Sequence, residues 1–197
     1  MKKSLSIKNI TKIAILASLG AILMLIDFPI FIAPSFYKLD IGDLPCLIGA
    51  FAMGPIPALF IQILKILLKL LFKPTSTAFI GELAAFISSC LYCISASIVY
   101  QKNKTKKGAL KAIVVGSLVM SIFTTIANYV FIIPAYCSLY KMPLEAIISL
   151  GKAIFPIIND KLSFVLCCVL PFNLIKTALV DFLTILLYKH ISPLLRD

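Results

Sequence analysis

The chain consists largely of apolar runs of up to about 20 residues, separated by short polar stretches. A helix needs about 20 consecutive apolar residues to cross a bilayer. Hydrophobic residues make up 61% of the 197 residues, whereas soluble domains contain roughly 45–50%. One soluble core could not bury this much apolar surface, so the sequence predicts an integral membrane protein.

Six membrane spans are predicted, forming one all-α bundle that occupies 1–197 as a single transmembrane domain. The first apolar run follows lysines, as in a signal peptide. No small-residue cleavage motif ends that run, so we expect it to be retained as a span. The predicted spans are 7–26, 44–53, 56–72, 78–100, 112–133 and 164–190.

Basic residues are divided unequally between the two ends of the predicted bundle. Short cytoplasmic loops of membrane proteins carry the excess of lysine and arginine, so both termini are predicted to be cytoplasmic, in a multi-pass protein of the cell membrane. This topology accounts for the net charge of +11 and does not indicate nucleic-acid binding. The basic residues on the side of the termini are Lys2, Lys3, Lys8, Lys12, Lys102, Lys104, Lys106, Lys107, Lys111, Lys189 and Arg196; those on the other side are Lys38, Lys73, Lys141, Lys152 and Lys161.

The stretch 28–55 contains four prolines and three charged residues. The prolines prevent it from forming one long helix, because proline lacks a backbone donor and fixes φ. Irregular backbone beside lipid is very costly unless it is buried in protein or lines a wet cavity. The extracellular loop 28–43 is therefore predicted to fold onto the helices around it, as a lid or the wall of a pocket.

Polar residues from separate segments converge at one depth below the predicted outer surface. Glu82 begins one span, Asn128 lies late in the next, and Asn173 and Lys176 share one side of the last. Lys38, Asp40 and Asp43 lie in or beside the loop above them. Aromatic residues close to these positions could supply a flat wall: Phe36, Tyr37, Tyr129 and Phe172.

Each polar residue also has a purely structural explanation. An asparagine can bridge helices, Glu82 and Lys176 could form an ion pair, and the loop aspartates could be solvated. Their joint convergence is harder to explain in this way, because buried polar groups need partners. An outward-facing pocket with amide, carboxylate and ammonium groups suits an uncharged or weakly charged polar solute.

Two lysines in the third span lie four residues apart on one helix face. Charged groups inside spans are costly and usually face a cavity, a partner or the interface. Lys65 lies deep enough in its span to need such an explanation, whereas Lys69 is nearer the end, where its side chain could extend to the interface.

Small residues in the first span form one smooth face, at Ala14, Ala17, Ser18 and Ala21. Such a face allows another helix to approach closely. Periodicity alone favours packing within the bundle over a docking face for a separate membrane subunit.

No enzyme motif is found in the sequence. It lacks a P-loop, HExxH and GxSxG, and its one histidine, His190, lies at the cytoplasmic end. Cys90 and Cys93 form a CxxC in an apolar helix without a second pair, so we interpret the six cysteines as buried thiols. We expect no ATP hydrolysis, no metal site and no cofactor in this chain.

Four motifs together resemble the riboflavin-binding S components of energy-coupling factor (ECF) vitamin transporters, over about 12–189. Their order and spacing carry the resemblance. They are F-P-x-F-x-A-P-x-x-x-K-L-D-x-x-D-x-P at 28–45, G-A-F-x-x-G-P at 49–55, T-S-T-x-x-x-G-E at 75–82 and P-F-N-L-I-K at 171–176.

The resemblance implies a six-helix bundle with riboflavin as the transported substrate. It also implies a transmembrane coupling subunit, docked on the small-residue face of the first helix, and two ATPase subunits on other chains. The sequence departs from the family at Ala85, where asparagine is expected, and at Thr177, where glycine is frequent. The residues that the resemblance and the aromatic pattern assign to the substrate are Lys38, Leu39 and Asp40 in the lid, and Glu82, Asn128, Tyr129, Asn173 and Lys176 in the pocket.

Two alternative functions remain at this point. The nearer one is an S component for a different vitamin. The other belongs to a different class: a small intramembrane enzyme or scaffold that uses Glu82 and Lys176 for catalysis or packing.

Overall fold

The computed structural model describes residues 7–75 and 77–191, with the side chains of 188–191 excluded. This part of the chain contains seven helices and one two-stranded antiparallel ribbon. In chain order they are α1 (Ile7–Leu25), β1 (Phe28–Pro29), β2 (Lys38–Leu39), α2 (Asp43–Met53), α3 (Pro55–Phe72), α4 (Ile80–Lys102), α5 (Lys106–Tyr140), α6 (Leu144–Lys152) and α7 (161–191).

Five of these helices, α1, α3, α4, α5 and α7, are long and apolar enough to cross a membrane. Helix α2 has 11 residues and is only about 16 Å long. It packs against α1, α3, α4 and α7, and most of its residues are buried. The prediction of six helices is therefore not confirmed as a count: α6 is an additional short helix, and α2 is shorter than a bilayer-crossing helix.

Local signals explain where several helices begin and end. Gly54 adopts φ +97° between α2 and α3, a conformation that glycine accepts without strain, and Pro55 is the first residue of α3. Thr105 caps α5 by accepting from the Gly108 amide at 3.1 Å. Asp160 begins α7 in a reciprocal capping box with Ser163.

Helices α5 and α7 each contain a π-helical turn just before a proline. The turns are Asn128–Ile132 and Val165–Val169, and Pro134 and Pro171 follow two residues after each. A proline in a regular helix clashes with the carbonyl four residues earlier, and in both helices that carbonyl lies within the wider π turn. Both helices therefore continue through their prolines.

This continuity corrects two predicted boundaries. The fifth span was predicted to end at residue 133, followed from 134 to 163 by a long connection with one or two short interfacial helices, but α5 continues to Tyr140. The last span was predicted to begin at 164, but α7 begins at Lys161. The remaining connection contains one short helix, α6, and its position at the membrane interface stays a prediction.

The small-residue face of α1 is divided between the bundle and its surface. Ala17 and Ala21 are buried, and α1 packs against α2 and α3. Ala14 and Ser18 are exposed, and the Ser18 hydroxyl donates to the Ala14 carbonyl at 2.9 Å. Only Ala14 and Ser18 are thus available to a separate subunit.

Backbone meets backbone where α1 approaches the start of α2. A Cβ atom added to Gly20 would lie 3.0 Å from the Gly42 carbonyl oxygen, and one added to Gly42 would lie 2.8 Å from the Gly20 carbonyl oxygen. Only glycine at both positions allows this approach. The contact fixes the base of the loop 28–43 against α1.

The loop 28–43, the α3–α4 turn and α6 lie at one end of the bundle, and the α4–α5 turn lies at the other. This arrangement agrees with the predicted grouping of loops. Four residues used to assign the cytoplasmic side, Lys2, Lys3, Lys189 and Arg196, fall outside the described side chains. The assignment of sides stays a prediction.

Candidate functional site

A cavity of about 500 Å³ lies under the loop 28–43. Side chains of the loop and of every helix except α2 line it. A volume of this size suits a small organic ligand. Its polar lining consists of Asp27, Lys38, Asp40, Lys69, Thr77, Glu82, Ser88, Ser89, Thr124, Asn128, Asn173 and Lys176.

An ion pair joins the loop to α7 at the cavity wall. The Lys176 ammonium lies 2.8 Å from Asp40 Oδ2 and 3.9 Å from Asp43 Oδ2. The other oxygen of Asp40 accepts from the Gly42 amide at 2.9 Å, which fixes the carboxylate at the start of α2. The structure thus brings together two residues that the sequence placed 136 positions apart.

A second ion pair lies deeper, between α2 and α3. Lys65 Nζ lies 2.6 Å from Asp43 Oδ1, and both side chains are only 2% exposed. Gln62 Nε2 donates to the same oxygen at 3.4 Å. The charge of Lys65, which was predicted to be deep in its span, is compensated by Asp43. Both aspartates at the base of the loop, Asp40 and Asp43, are buried rather than solvated.

Glu82 is held by three donors at the start of α4. Its Oε1 accepts from Lys69 at 2.7 Å, and its Oε2 accepts from Thr75 and Thr77 at 2.9 Å each. Ala78, between Thr77 and α4, has φ +46° in the left-handed region, and this tight turn places the threonines beside Glu82.

These contacts correct two expectations about charged residues. Lys69 does not extend to the interface but pairs with Glu82 in the cavity wall. Glu82 and Lys176 do not pair with each other, since each has a different partner. The signal for Lys69 was present in the sequence: Lys65 and Lys69 share one face, and a buried Glu82 needs a cation.

Two asparagines present amide groups at the cavity. Asn128 Oδ1 accepts from the Tyr37 hydroxyl at 2.7 Å, and its Nδ2 donates to the Thr124 carbonyl. Asn173 Nδ2 donates to the Val169 carbonyl at 2.9 Å. Burial raises the pKa of Tyr37, so its neutral phenol is the donor that connects the loop to α5.

Aromatic rings form one side of the cavity. The centroids of Phe36 and Tyr37 are 4.8 Å apart, and those of Tyr37 and Phe172 are 5.4 Å apart. Tyr136 and Tyr140 add to the lining. These two tyrosines were not predicted from the sequence, because the fifth span was expected to end at residue 133, before the last two turns of α5.

Two predicted site residues do not line the cavity. Leu39 is buried in the apolar cluster beneath the loop, because neighbouring residues of a strand face opposite sides. Tyr129 is 40% exposed, and the Lys161 ammonium lies 4.2 Å from its ring centroid. Asn128 occupies the inner side of the π turn, which leaves the adjacent Tyr129 on the outside.

The rim of the cavity carries an ion bridge that the sequence analysis did not include. Asp27 lies 3.2 Å from Lys38 in the loop and 2.7 Å from Lys73 in the α3–α4 turn. Burial raises the pKa of Asp27, but hydrogen bonds from Lys73 and Lys38 outweigh burial and hold the pKa below its usual value of 3.8. The bridge joins the predicted lid to the turn that carries Thr75 and Thr77.

Helix α6 supplies the remaining cover. Met142, Ile147 and Leu150 line the cavity from the α5–α7 connection. These three residues could not be predicted from the sequence. A short amphipathic helix of nine residues has the same apolar pattern whether it covers a cavity or lies on a membrane surface. The cavity is therefore closed by two separate segments rather than by the loop alone.

The charged groups at the cavity are compensated within the protein. Lys176 pairs with Asp40, Lys69 with Glu82, and Lys38 with Asp27. Among the side chains that the structure describes, no three His, Cys, Asp or Glu residues are grouped so as to hold a metal ion. Such a site favours a neutral ligand that combines an aromatic face with hydrogen-bonding edges.

Comparison with known proteins identifies similar membrane transport components. The family model for the substrate-specific component of ECF transporters matches residues 8–188. The riboflavin transporter FmnP of Bacillus subtilis is 26% identical over 190 residues, which cover 96% of this chain and 94% of that protein. The riboflavin transporter RibU of Staphylococcus aureus is 25% identical over 189 residues, 96% and 93% of the two chains.

A solved structure shares the fold. It is described as the S component of a bacterial ECF transporter, and it superposes with a TM-score of 0.73 at 26% sequence identity. The alignment covers 96% of this chain and 98% of that chain. The shared fold therefore extends over nearly the whole of both chains.

Proposed function

Because the chain belongs to the family of substrate-specific components of ECF transporters, we propose that it captures riboflavin at the cell membrane for uptake. This family consists of transporter components and not enzymes, which argues against a catalytic role for Glu82 and Lys176. The relatives named as riboflavin transporters align along nearly their whole length. Riboflavin is in this proposal a transported substrate and not a cofactor.

The observation that carries this choice of substrate is the charge balance of the cavity. Its acidic and basic side chains are paired with one another, so a neutral ligand enters without leaving a charge unpaired. Aromatic side chains can pack against a flat ring system. The flavin ring, with its amide-like edge and ribityl hydroxyls, fits this combination of surfaces.

Specific roles follow for the polar lining. Asn128, Asn173 and Lys176 donate to or accept from the ring edge and ribityl chain, and Lys38 and Asp40 belong to the lid. Glu82 already accepts from three donors, so its main role is to orient Lys69 and the two threonines at the wall. Leu39 supports the lid from below, and Tyr129 has no direct role in binding.

The proposed assembly has further members. The bundle of five long helices and α2 lies in the cell membrane with both termini in the cytoplasm. A transmembrane coupling subunit docks on α1 at Ala14 and Ser18, with Ala17 and Ala21 packing beneath. Two ATPase subunits on other chains supply the energy. Tipping of the closed bundle on the coupling subunit then exposes the ligand to the cytoplasm.

A spectrum of the purified protein tests the substrate. In detergent, before and after denaturation, we expect flavin absorption that stays with the folded protein and fluorescence that rises on unfolding. A colourless preparation that fails to quench added riboflavin would remove the flavin proposal. An S component for another vitamin would then be favoured, and mass spectrometry of a co-purified ligand would identify it.

Substitutions at the cavity test the site. Asn173→Ala and Lys176→Ala should each weaken riboflavin binding by about 10- to 100-fold, the usual effect of losing a hydrogen bond in a buried site. Binding is measured by quenching of flavin fluorescence on titration. The matched controls are Asn159→Ala in the α6–α7 connection and Lys152→Ala at the end of α6, which change the same residue types at exposed positions and should leave the affinity unchanged. Wild-type affinity in both cavity variants would refute the site assignment.

A further inference from the structure

In the part of the chain that the structure describes, the α4–α5 turn at the end opposite the cavity carries lysines and no acidic residue. Of the acidic residues that the structure describes, six lie at the cavity end or in its loops. The seventh, Asp181, accepts from Ser117 and Tyr92. Ser117 is 11 residues into α5, about 16 Å from the helix start. No described acid is therefore close to the lysines of the α4–α5 turn, which are Lys102, Lys104, Lys106, Lys107 and Lys111.

These five lysines, here called the turn lysines, differ from most lysines at the cavity end in their partners. At the cavity end, five lysines pair with aspartate or glutamate, namely Lys38, Lys65, Lys69, Lys73 and Lys176. Lys152 instead donates to Asn159, and Lys161 lies over the ring of Tyr129. The turn lysines are all exposed, and none forms an ion pair with an acidic residue of the described chain. Within the described residues, these five charges are therefore not compensated by an acidic side chain.

A shallow apolar groove with an enclosed volume of about 20 Å³, here called the slot, lies directly beside the turn lysines. It is bordered by α2, the first two turns of α5 and the last part of α7, and Lys106 is at its mouth. Leu110 and Ile185 are partly exposed along it, whereas Phe51 and Ile113 form its buried floor. The hydroxyl of Thr184 donates to the Val180 carbonyl, so the floor presents apolar surface.

We propose that this end of the protein binds an anionic phospholipid, with the headgroup phosphate on the turn lysines and an acyl chain along the slot. The turn connects two membrane-spanning helices, so its lysines lie at the depth of the lipid headgroups. Lys106 joins both parts of the site, because it borders the slot and belongs to the cationic turn. The site is separate from the cavity, and the proposal does not depend on riboflavin as the substrate.

The apolar slot favours a lipid over an acidic protein surface or free phosphate. An acidic protein surface or a phosphate ion would be attracted by the lysines but would gain nothing from Leu110 and Ile185. A zwitterionic lipid could use the slot but carries no net charge for the five lysines. Only an anionic lipid satisfies both features.

A single-tryptophan reporter can measure this preference, because the chain contains no tryptophan. Leu110→Trp places the indole at the exposed edge of the slot. The variant is reconstituted in phosphatidylcholine vesicles that contain a minor fraction of brominated phosphatidylglycerol or, separately, brominated phosphatidylcholine. We expect phosphatidylglycerol to quench the tryptophan at about threefold lower mole fraction, a preference that high salt reduces.

Two charge variants connect the preference to the turn lysines. In the Leu110→Trp background, replacing Lys102, Lys104, Lys106 and Lys107 by glutamine should abolish the preference. Replacing Lys8 and Lys12 by glutamine, at the same end of the molecule, should preserve it. Leu71→Trp, at the cavity end of α3, should show equal quenching by the two lipids.

A measurement on the unmodified protein removes dependence on the tryptophan variants. Thermal unfolding of the wild-type chain in detergent is followed by circular dichroism with added short-chain phosphatidylglycerol or phosphatidylcholine. We expect the former to raise the midpoint more. Equal quenching in Leu110→Trp together with equal thermal shifts would overturn the proposal, and so would a preference that persists without the four lysines. Phosphatidylglycerol selectivity matched by free phosphate in the thermal assay would indicate an ion site without a lipid.

Discussion

Buried charged side chains near the cavity are stabilised by pairing with a residue of opposite charge, because burying either charge alone would be costly. Lys65 and Asp43 are the most buried pair, and Lys176 lies 3.9 Å from the second oxygen of Asp43. Asp43 therefore has two cationic neighbours, whereas Lys65 has one carboxylate and a longer contact to Ser89 at 3.4 Å. Without Asp43, Lys65 would lose its carboxylate partner. Without Lys65, Asp43 would still have Lys176 at 3.9 Å.

This asymmetry predicts the order of two destabilising substitutions. Removing one partner of a buried ion pair costs about 3–5 kcal/mol, and replacing both partners costs much less. Asp43→Asn should therefore lower the thermal midpoint more than Lys65→Met, and the double variant should recover much of the loss. Circular dichroism in detergent gives the midpoints. Glu145→Gln, an exposed acid on α6, is the control and should have little effect. An additive double variant would contradict the pairing.

The sequence was sufficient to select most of the polar residues at the cavity but not their partners. Polar groups inside apolar spans are costly and usually face a cavity or a partner. This rule identified Glu82, Asn128, Asn173 and Lys176. Their pairing depends on helix rotation, which periodicity does not determine. Lys69 illustrates the limit: four residues from Lys65, it faces the cavity wall because Glu82 begins α4 beside it.

The loop 28–43 is the element on which ligand retention should depend. It is joined to α5 through Tyr37, to α7 through Asp40, and to the α3–α4 turn through the Asp27 bridge. The first two contacts are largely buried, and the third is exposed to water. Contacts of exposed charges are weak and sensitive to salt.

Asp27→Asn should accelerate ligand release without abolishing binding. Because its pKa is lowered in the folded protein, the Asp27 bridge is fully present above the unfolded value near 3.8 and is lost as the pH falls through the lower folded value. We therefore expect Asp27 to make no pH-dependent contribution between about pH 5 and 8. In Asp27→Asn, stopped-flow release of riboflavin at low salt should be about two- to fivefold faster at every pH in that range.

The same experiment includes a control for charge alone. Asp160→Asn removes a carboxylate that caps α7 and does not contact the loop, so release should keep its wild-type rate. High salt should reduce the difference between wild type and Asp27→Asn. Unchanged release in Asp27→Asn at low salt would mean that the rim bridge does not retain the ligand.

Helix boundaries were predictable from apolar runs except where prolines interrupt them. The prediction ended the fifth span at residue 133 because the next residue is a proline, yet a π turn allows α5 to continue through it. Such a turn has no sequence signature of its own: Asn128–Ile132 is an ordinary apolar stretch apart from its first residue. The error concealed Tyr136 and Tyr140 from the predicted cavity.

The molecule as a whole is polarised along its axis. Six of the seven described acidic residues lie at the cavity end, and the described α4–α5 turn at the opposite end carries lysines and no acid. This polarity could be predicted from the sequence, because it depends only on which loops lie on the same side of the membrane. The closure of the cavity by both the loop and α6 could not be predicted, since it depends on the packing of segments that are more than 100 residues apart.

The proposed orientation predicts the location of both termini. Fusion of green fluorescent protein to either terminus should give fluorescent cells, because this reporter folds in the cytoplasm and not when exported through the general secretion pathway. A fusion within the α4–α5 turn should also fluoresce, whereas one in the α6–α7 connection should not. Fluorescence of the α6–α7 fusion with dark terminal fusions would reverse the assignment.

The contact of Gly20 with Gly42 has a mechanical consequence. No side chain separates the two backbones, so α1 and the base of the loop cannot slide past each other by rearranging side chains between them. Force applied to α1 from the membrane side, where Ala14 and Ser18 are exposed, is transmitted directly to the hinge of the loop. A methyl group added at Gly20 would lie 3.0 Å from the Gly42 carbonyl oxygen, so it would push α1 away from the base of the loop and loosen this mechanical coupling.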